Sequence, residues 1–236
     1  FSGLLIITMW QRNLIEQTRQ KNIHYQASHD DLTGLPNRAL FHDRLSQTLA
    51  RMDRSGTTGC ILYLDLDDFK HVNDEFSHEV GDHVLKVIAE RIKRCIRKMD
   101  TGARFSGDEF VVLLENVNGP RNAANIAKKL LSNISRQIQV QDSEVIVSGS
   151  IGIAMIPQDG LDGSDLLINA DTAMYAAKRD GKNSISFFNS EMKERMLHRI
   201  NLSKGMHQGL AQNEFYLDYQ PQYDAKSGEI FRAEAL

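Results

Sequence analysis

The chain has 236 residues, of which 41% are hydrophobic and 25% charged, with a formal net charge of −3. That length suits one well-buried domain and part of another, and the composition is that of an ordinary soluble globular protein. The slightly acidic balance argues against general nucleic-acid binding and leaves room only for a local basic site. Cys60 and Cys95 show no ligand spacing and sit in apolar patterns, as reduced core thiols of a cytosolic compartment do.

Residues 1–10 are apolar up to Trp10 and then turn polar at Gln11 and Arg12. Such a run is too short to span a bilayer, which takes about 20 residues. With an interfacial Trp and a positive flank it reads as the cytoplasmic end of a membrane helix, or else as a helix face buried on a partner. The chain opens on Phe1 and stops inside an apparent strand, and so reads as a piece of a longer protein. Residues 14–27 predict a helix with a weak heptad signal, suited to carrying an upstream signal.

Residues 30–36 form a turn-rich acidic stretch, after which Asn37 is placed to cap a helix with Leu40, Phe41, Leu45, Leu49 and Met52 on one face. Residues 60–66 predict a buried strand running into Asp65, Asp67 and Asp68. Val84, Leu85, Ile88, Ile92 and Ile96 predict a second amphipathic helix. Residues 102–105 and 110–114 predict a hairpin around Ser106, Gly107, Asp108 and Glu109. A helix over 123–138, a strand over 145–156, a helix over 165–179 and a short strand over 185–188 complete a domain. Mixed helices and strands with hairpins inside the order predict an α+β fold, a sheet layered with helices. Residues 190–212 predict a helical connector, and 215–222 with 229–236 a second hairpin.

The chemistry concentrates where the strand end meets the hairpin tip. Carboxylates converging there supply hard oxygen ligands for Mg²⁺ or Mn²⁺ and leave coordination open for phosphate. Asp65 stands where the strand meets its loop, so that its carboxylate and the Leu66 carbonyl can point into one cleft. Asn73 and Asp82 flank a turn expected over 74–81. An amide and a carboxylate together match the donor and acceptor edge of guanine; alternatively Asn73 caps that turn and Asp82 the following helix. Taken alone, Asp67, Asp68, Asp108 and Glu109 read as solvated turn residues.

The segment Arg104-Phe105-Ser106-Gly107-Asp108-Glu109-Phe110 resembles the GGDEF motif of diguanylate cyclases, as an SGDEF variant. Asp31-Leu32-Thr33-Gly34-Leu35-Pro36-Asn37-Arg38, residues 65–82, Arg97-Lys98-Met99-Asp100 and residues 175–183 agree in order and spacing. The resemblance covers residues 28–189. It implies a nucleotide-cyclase, palm-like domain with a central, mostly antiparallel sheet. By it, Asp65, the Leu66 carbonyl, Asp108 and Glu109 bind the metal ions, and Asp108 with Glu109 is catalytic. Asn73 and Asp82 hold guanine, while Lys70, Lys178 and Lys182 approach the phosphates and Gly107 lies against the nucleotide. Arg97 and Asp100 form a product-inhibition site.

The implied reaction condenses two GTP into cyclic di-GMP and two pyrophosphates across a homodimer. The alternative is a weakly active or inactive GTP-binding regulatory domain. Tyr219-Gln220-Pro221 and Glu234-Ala235-Leu236 resemble the opening of an EAL phosphodiesterase barrel, in which Gln220 and Glu234 match substrate and metal positions. These resemblances place the protein as the cytoplasmic part of an inner-membrane-anchored bacterial signalling protein. Two departures stand out. Lys182 replaces a more usual Arg and loses its bidentate fork. Ser106 replaces the first Gly, where a side chain is expected to crowd the nucleotide and resist a positive φ, lowering activity without abolishing it.

Overall fold

The structure, a computed structural model, describes residues 25–140 and 143–235. The apolar run 1–10 and nearly all of the leading helix expected over 14–27 lie outside those residues, although 25–28 are helical. The described residues form two compact units, one ending at Met192 and the other beginning at Lys193.

In the first unit α1 (Arg38–Ser55) starts where Asn37 Oδ1 accepts the Leu40 amide, and ends at Gly56 with φ 65°. Then come β1 (Gly59–Leu66), α2 (Phe69–Glu75) and α3 (His78–Cys95). β2 (Thr101–Ser106) and β3 (Glu109–Glu115) follow, then α4 (Gly119–Ile134), β4 (Ile138–Val140) and β5 (Ser143–Val145). β6 (Gly149–Ile156), α5 (Gly163–Arg179) and β7 (Ile185–Phe187) close the unit. The main sheet has five strands in the order β2-β3-β1-β6-β7; its pairings are antiparallel except β6 with β7, which makes it mixed. β4 and β5 pair with each other as a separate ribbon.

β1 is buried along its whole length because both faces of the sheet are covered. Leu62, Leu64, Phe110, Val112, Ile151 and Ile153 share one core with Val84, Ile88 and Ile92 of α3 and Leu130 of α4. Ile61, Tyr63, Val111, Leu113 and Ala154 share the other with Phe41 and Leu45 of α1 and Leu166, Ala170 and Met174 of α5. Odd-numbered residues of β1 and β3 therefore face α1 and α5. α5 comes unusually close: a Cβ on Gly152 would stand 1.9 Å from the Ala170 carbonyl oxygen and 2.1 Å from the Met174 nitrogen. Cys60 and Cys95 are both free, and burial pushes the Cys60 thiol up to about 12, with Asp100 adding to the shift.

Four expectations needed correction. The turn expected over 74–81 is mostly helix: Asn73 lies in α2, and only Phe76 and Ser77 separate α2 from α3. Ser77 caps α3 by accepting the Val80 amide, so Asp82 is no cap but lies within that helix. The helix expected over 123–138 starts at Gly119, with Pro in its first turn, and stops early enough for Ile138 to open β4. The strand expected over 145–156 is two, because the chain leaves the β4–β5 ribbon and enters the main sheet at Gly149.

In the second unit, entered along α6 (Ser190–Ala211), β8 (Tyr219–Tyr223) and β9 (Ile230–Ala235) form an antiparallel hairpin with Gln220 opposite Glu234. Phe215, Tyr219 and Phe231 are exposed there, as a hairpin without a second layer leaves them. Among the described residues no helix is long and apolar enough to cross a membrane.

Candidate functional site: an acidic pole at the end of β1

Register builds the site. β1 pairs with β3 so that Asp65 lies directly opposite Glu109, and the Leu66 amide donates to the Asp108 carbonyl at 3.3 Å. Asp65, Leu66, Asp108 and Glu109 thus meet at one end of the two strands. Asp65 is only 8% exposed, and burial pushes its carboxyl up to about 6; the charges of Asp108 and Glu109 push the same way, against a hydrogen bond from Lys178. The Lys178 ammonium, from α5, pairs with Asp65 Oδ1, a buried oxygen that accepts no aligned hydrogen bond. Asp171, seven residues earlier on α5 and hence on the same helix face, is also raised, by burial and then by Glu109. The Tyr63 phenol is raised by burial and then by the Glu109 charge. Among the described residues no three acidic, histidine or cysteine side chains form a ready-made metal cluster.

The hairpin turn is tight. Only Gly107 and Asp108 separate β2 from β3, and the positive φ, 43°, falls on Gly107, with open space where a Cβ would be. Ser106 stays in β2 without positive φ, so the strain expected from its side chain does not arise. Its hydroxyl donates to Glu109 Oε2 at 2.5 Å. Behind the turn Arg104 donates from Nε and Nη2 to the Gly107 carbonyl at 2.9 and 2.8 Å, and from Nη1 to both Asp30 oxygens at 3.0 and 3.2 Å. Asp30 also accepts the amide and hydroxyl of Thr33. The turn at 30–36 is thereby tied directly to the hairpin.

The other candidates distribute as follows. Lys182 Nζ donates to both oxygens of Asp68 at 2.7 Å, and that pair pulls the Asp68 carboxyl down. Lys178 and Lys182 are therefore both held against acids at the mouth of β1. Lys70 is exposed on α2. A Cβ on Gly81 would stand 2.0 Å from Asn73 Oδ1, so α2 and α3 touch there and bring Asn73 beside the residue preceding Asp82. Asp100 serves the backbone: its Oδ2 accepts the Arg97 amide at 2.8 Å and its Oδ1 the Glu115 amide at 3.1 Å. A pocket of about 500 Å³ beside it is lined by Arg44, Arg51 and Lys98, and Arg97 is not among its lining residues. Arg51 pairs with Glu115 at 2.9 Å. Gln220 and Glu234 belong to the second unit.

Several contributors carried no local signal. Asp67, which looked like a solvated turn residue, is 6% exposed and accepts the hydroxyls of Ser148 and Ser150, each at 2.7 Å, and the Asn183 amide at 2.9 Å. Those donors lie 81 or more positions away. Asp171, Tyr63, Arg44 and Arg51 likewise join their sites only through the tertiary fold.

Residues 27–184 match the sequence pattern of the family described as "Diguanylate cyclase, GGDEF domain". The chain belongs to the GGDEF family. Among its relatives is the bifunctional diguanylate cyclase/cyclic di-GMP phosphodiesterase MucR of Pseudomonas aeruginosa, 44% identical over 89% of this chain and 30% of that protein. The chain spans about a third or less of the length of the first such relatives. The solved GGDEF domain of TpbB from Pseudomonas aeruginosa superposes with a TM-score of 0.70 at 38% identity, over 72% of this chain and 99% of that one. A coiled-coil and GGDEF structure of DgcB from Caulobacter crescentus, in complex with cyclic di-GMP, gives a TM-score of 0.69 at 28% identity, over 79% of this chain and 97% of that one. In this GGDEF domain the motif occupies the β2–β3 turn, with its two acids against the end of β1.

Proposed function

We propose that the first unit is a diguanylate cyclase that condenses two GTP into cyclic di-GMP and two pyrophosphates. The observation that carries the reading is the buried Asp65 carboxylate, set opposite Glu109 and beside Asp108, with the Lys178 ammonium paired to its Oδ1. A buried carboxylate clustered with two partly exposed acids is matched chemically to a hard divalent cation. Asp65, the Leu66 carbonyl, Asp108 and Glu109 hold it. A Mg²⁺ or Mn²⁺ ion held by these residues would supply charge neutralisation for the triphosphate and the pyrophosphate leaving group and would acidify the attacking ribose hydroxyl.

The chain's own residues do the rest. Asn73 and Asp82, from α2 and α3, read the guanine edge, which adenine would leave mispaired. Lys178 and Lys182 give up Asp65 and Asp68 to meet the phosphates, with Lys70 adding charge from α2 and Gly107 leaving room for the nucleotide. Each domain of a homodimer holds one GTP. The 3′-hydroxyl of each attacks the α-phosphate of the other, forming O3′–Pα bonds as the bonds to pyrophosphate break, with Asp108 nearest the departing proton. Cyclic di-GMP binds back at Arg97 and Asp100, where the pocket cations Arg44, Arg51 and Lys98 complement its phosphates.

The second reading is a GTP-binding domain that regulates an attached cyclic di-GMP phosphodiesterase. It is favoured by the hairpin that pairs Gln220 with Glu234 and by the bifunctional relative. One experiment separates the two. The purified chain, and a version fused to a dimerising coiled coil, are incubated with GTP and Mg²⁺ and the products resolved by chromatography. Cyclic di-GMP that disappears with Asp108→Ala is the expected result. A forced dimer that binds GTP yet makes no product would overturn the cyclase reading in favour of the regulatory one.

A further inference from the structure

Ser106 is the position where the motif departs from a Gly-Gly pair, and the structure gives its hydroxyl a partner. The two-residue turn sets Ser106 opposite Glu109 in the β2–β3 register. Ser106 Oγ then donates to Glu109 Oε2 at 2.5 Å. From β1 the buried Tyr63 phenol lies within electrostatic reach of the same carboxylate. Glu109 is also directly opposite Asp65 and acts electrostatically on Asp65 and Asp171. A glutamate with free rotamers, surrounded by like charge and half exposed, gains by turning out to water. The Ser106 hydroxyl holds it in.

We propose that Ser106 is a positioning residue whose hydroxyl fixes the Glu109 carboxylate at the end of β1, so that Glu109 and Asp65 meet a divalent cation as a pre-arranged pair. The proposal rests on the reading of the acidic pole as a cation and nucleotide site. A glycine at 106 offers no such donor. The serine adds it without backbone strain, because the positive φ of the turn belongs to Gly107. Groups that orient a ligating carboxylate contribute to metal affinity almost as the ligands do.

The test measures cation binding without turnover. Mn²⁺ is titrated into the 236-residue chain with 3′-deoxy-GTP, which cannot condense, and free Mn²⁺ is read by electron paramagnetic resonance. Ser106→Ala and Ser106→Gly are each expected to weaken Mn²⁺ binding about tenfold. Ser106→Thr, which keeps the hydroxyl, is expected to stay close to the parent, and Asp65→Ala to lose binding. A merely structural serine would lower the thermal midpoint and leave Mn²⁺ affinity in place. Parent-like affinity in Ser106→Ala and Ser106→Gly overturns the positioning role alone. So does a Ser106→Thr variant as weak as Ser106→Ala. A parent that binds no Mn²⁺, or whose binding survives Asp65→Ala, overturns the site reading and this proposal with it.

Discussion

At the residue scale, neighbouring acids of one type have opposite duties. Asp65 is buried, paired with Lys178 and raised in pKa chiefly by burial, as groups at functional sites often are. Asp67, two positions on, spends its carboxylate on Ser148, Ser150 and Asn183 and ties β6 and the loop before β7 to the end of β1. Asp67→Ala leaves those donors unpaired in a buried setting and is expected to cost about 3 kcal/mol in urea unfolding; a loss below about 1 kcal/mol would mean that water replaces the carboxylate. Asp30 shows the ordinary sign of a paired acid. Burial works to raise its pKa, but the Thr33 and Arg104 hydrogen bonds prevail and hold it below the usual carboxylate range. A lowered folded-state pKa stabilises above the unfolded value, and that contribution disappears as pH falls through the folded one. Asp30→Asn is therefore expected to flatten the acid limb of a stability-versus-pH curve below about pH 4, with the curve above that shifted down. An unchanged acid limb would rule out this assignment.

At the element scale, the position of α5 governs the site. Gly152 of β6 lets the backbone of α5 reach the sheet, which sets Lys178 against Asp65 and Asp171 on the same helix face. Gly152→Ala forces its Cβ into backbone atoms of Ala170 and Met174, which cannot move aside as a flexible side-chain tip can. It is expected to destabilise by about 3 kcal/mol and to weaken GTP binding by shifting Lys178, read by denaturant unfolding alongside nucleotide titration. Preserved stability would show that α5 can slide outward at little cost. The β2–β3 hairpin is positioned with similar directness: Arg104 spans Asp30 and the Gly107 carbonyl, so the turn before α1 and the motif turn move as one piece.

At the scale of the whole molecule, one domain presents one acidic pole and one Asn73–Asp82 pair proposed to read guanine, whereas the proposed product contains two guanines. Synthesis by facing domains makes the initial rate rise faster than linearly with protein concentration while the dimer is dilute. A forced dimer is expected to remove that curvature and raise specific activity, as measured by initial rates over a concentration series. Strict proportionality in the unfused chain, down to the lowest measurable concentration, would require a dimer already saturated or a different reaction.

The sequence by itself determined the fold class, the family and most elements of the first unit, while α2 and the β4–β5 ribbon were not read from it. Local rules sufficed there: the continuous apolar run of β1, the helical spacing of α1 and α3, Asn37 as a cap, and a Gly-Asp pair able to close a two-residue turn. It also marked Asp65, Asp108 and Glu109 as a set, because the motif and the strand end are legible as blocks. Only the tertiary structure decided what those side chains touch. Asp67 turned from a solvated acid into a buried hub, and Asp100 gained backbone partners in Arg97 and Glu115. Ser106 proved free of the expected backbone strain and became a donor, while Arg104 joined two distant turns. The reason is range: strand and helix periodicities act over a few residues, whereas a carboxylate's desolvation and partners depend on strands and helices that may be 80 or more positions away, as with Ser148 and Asp67.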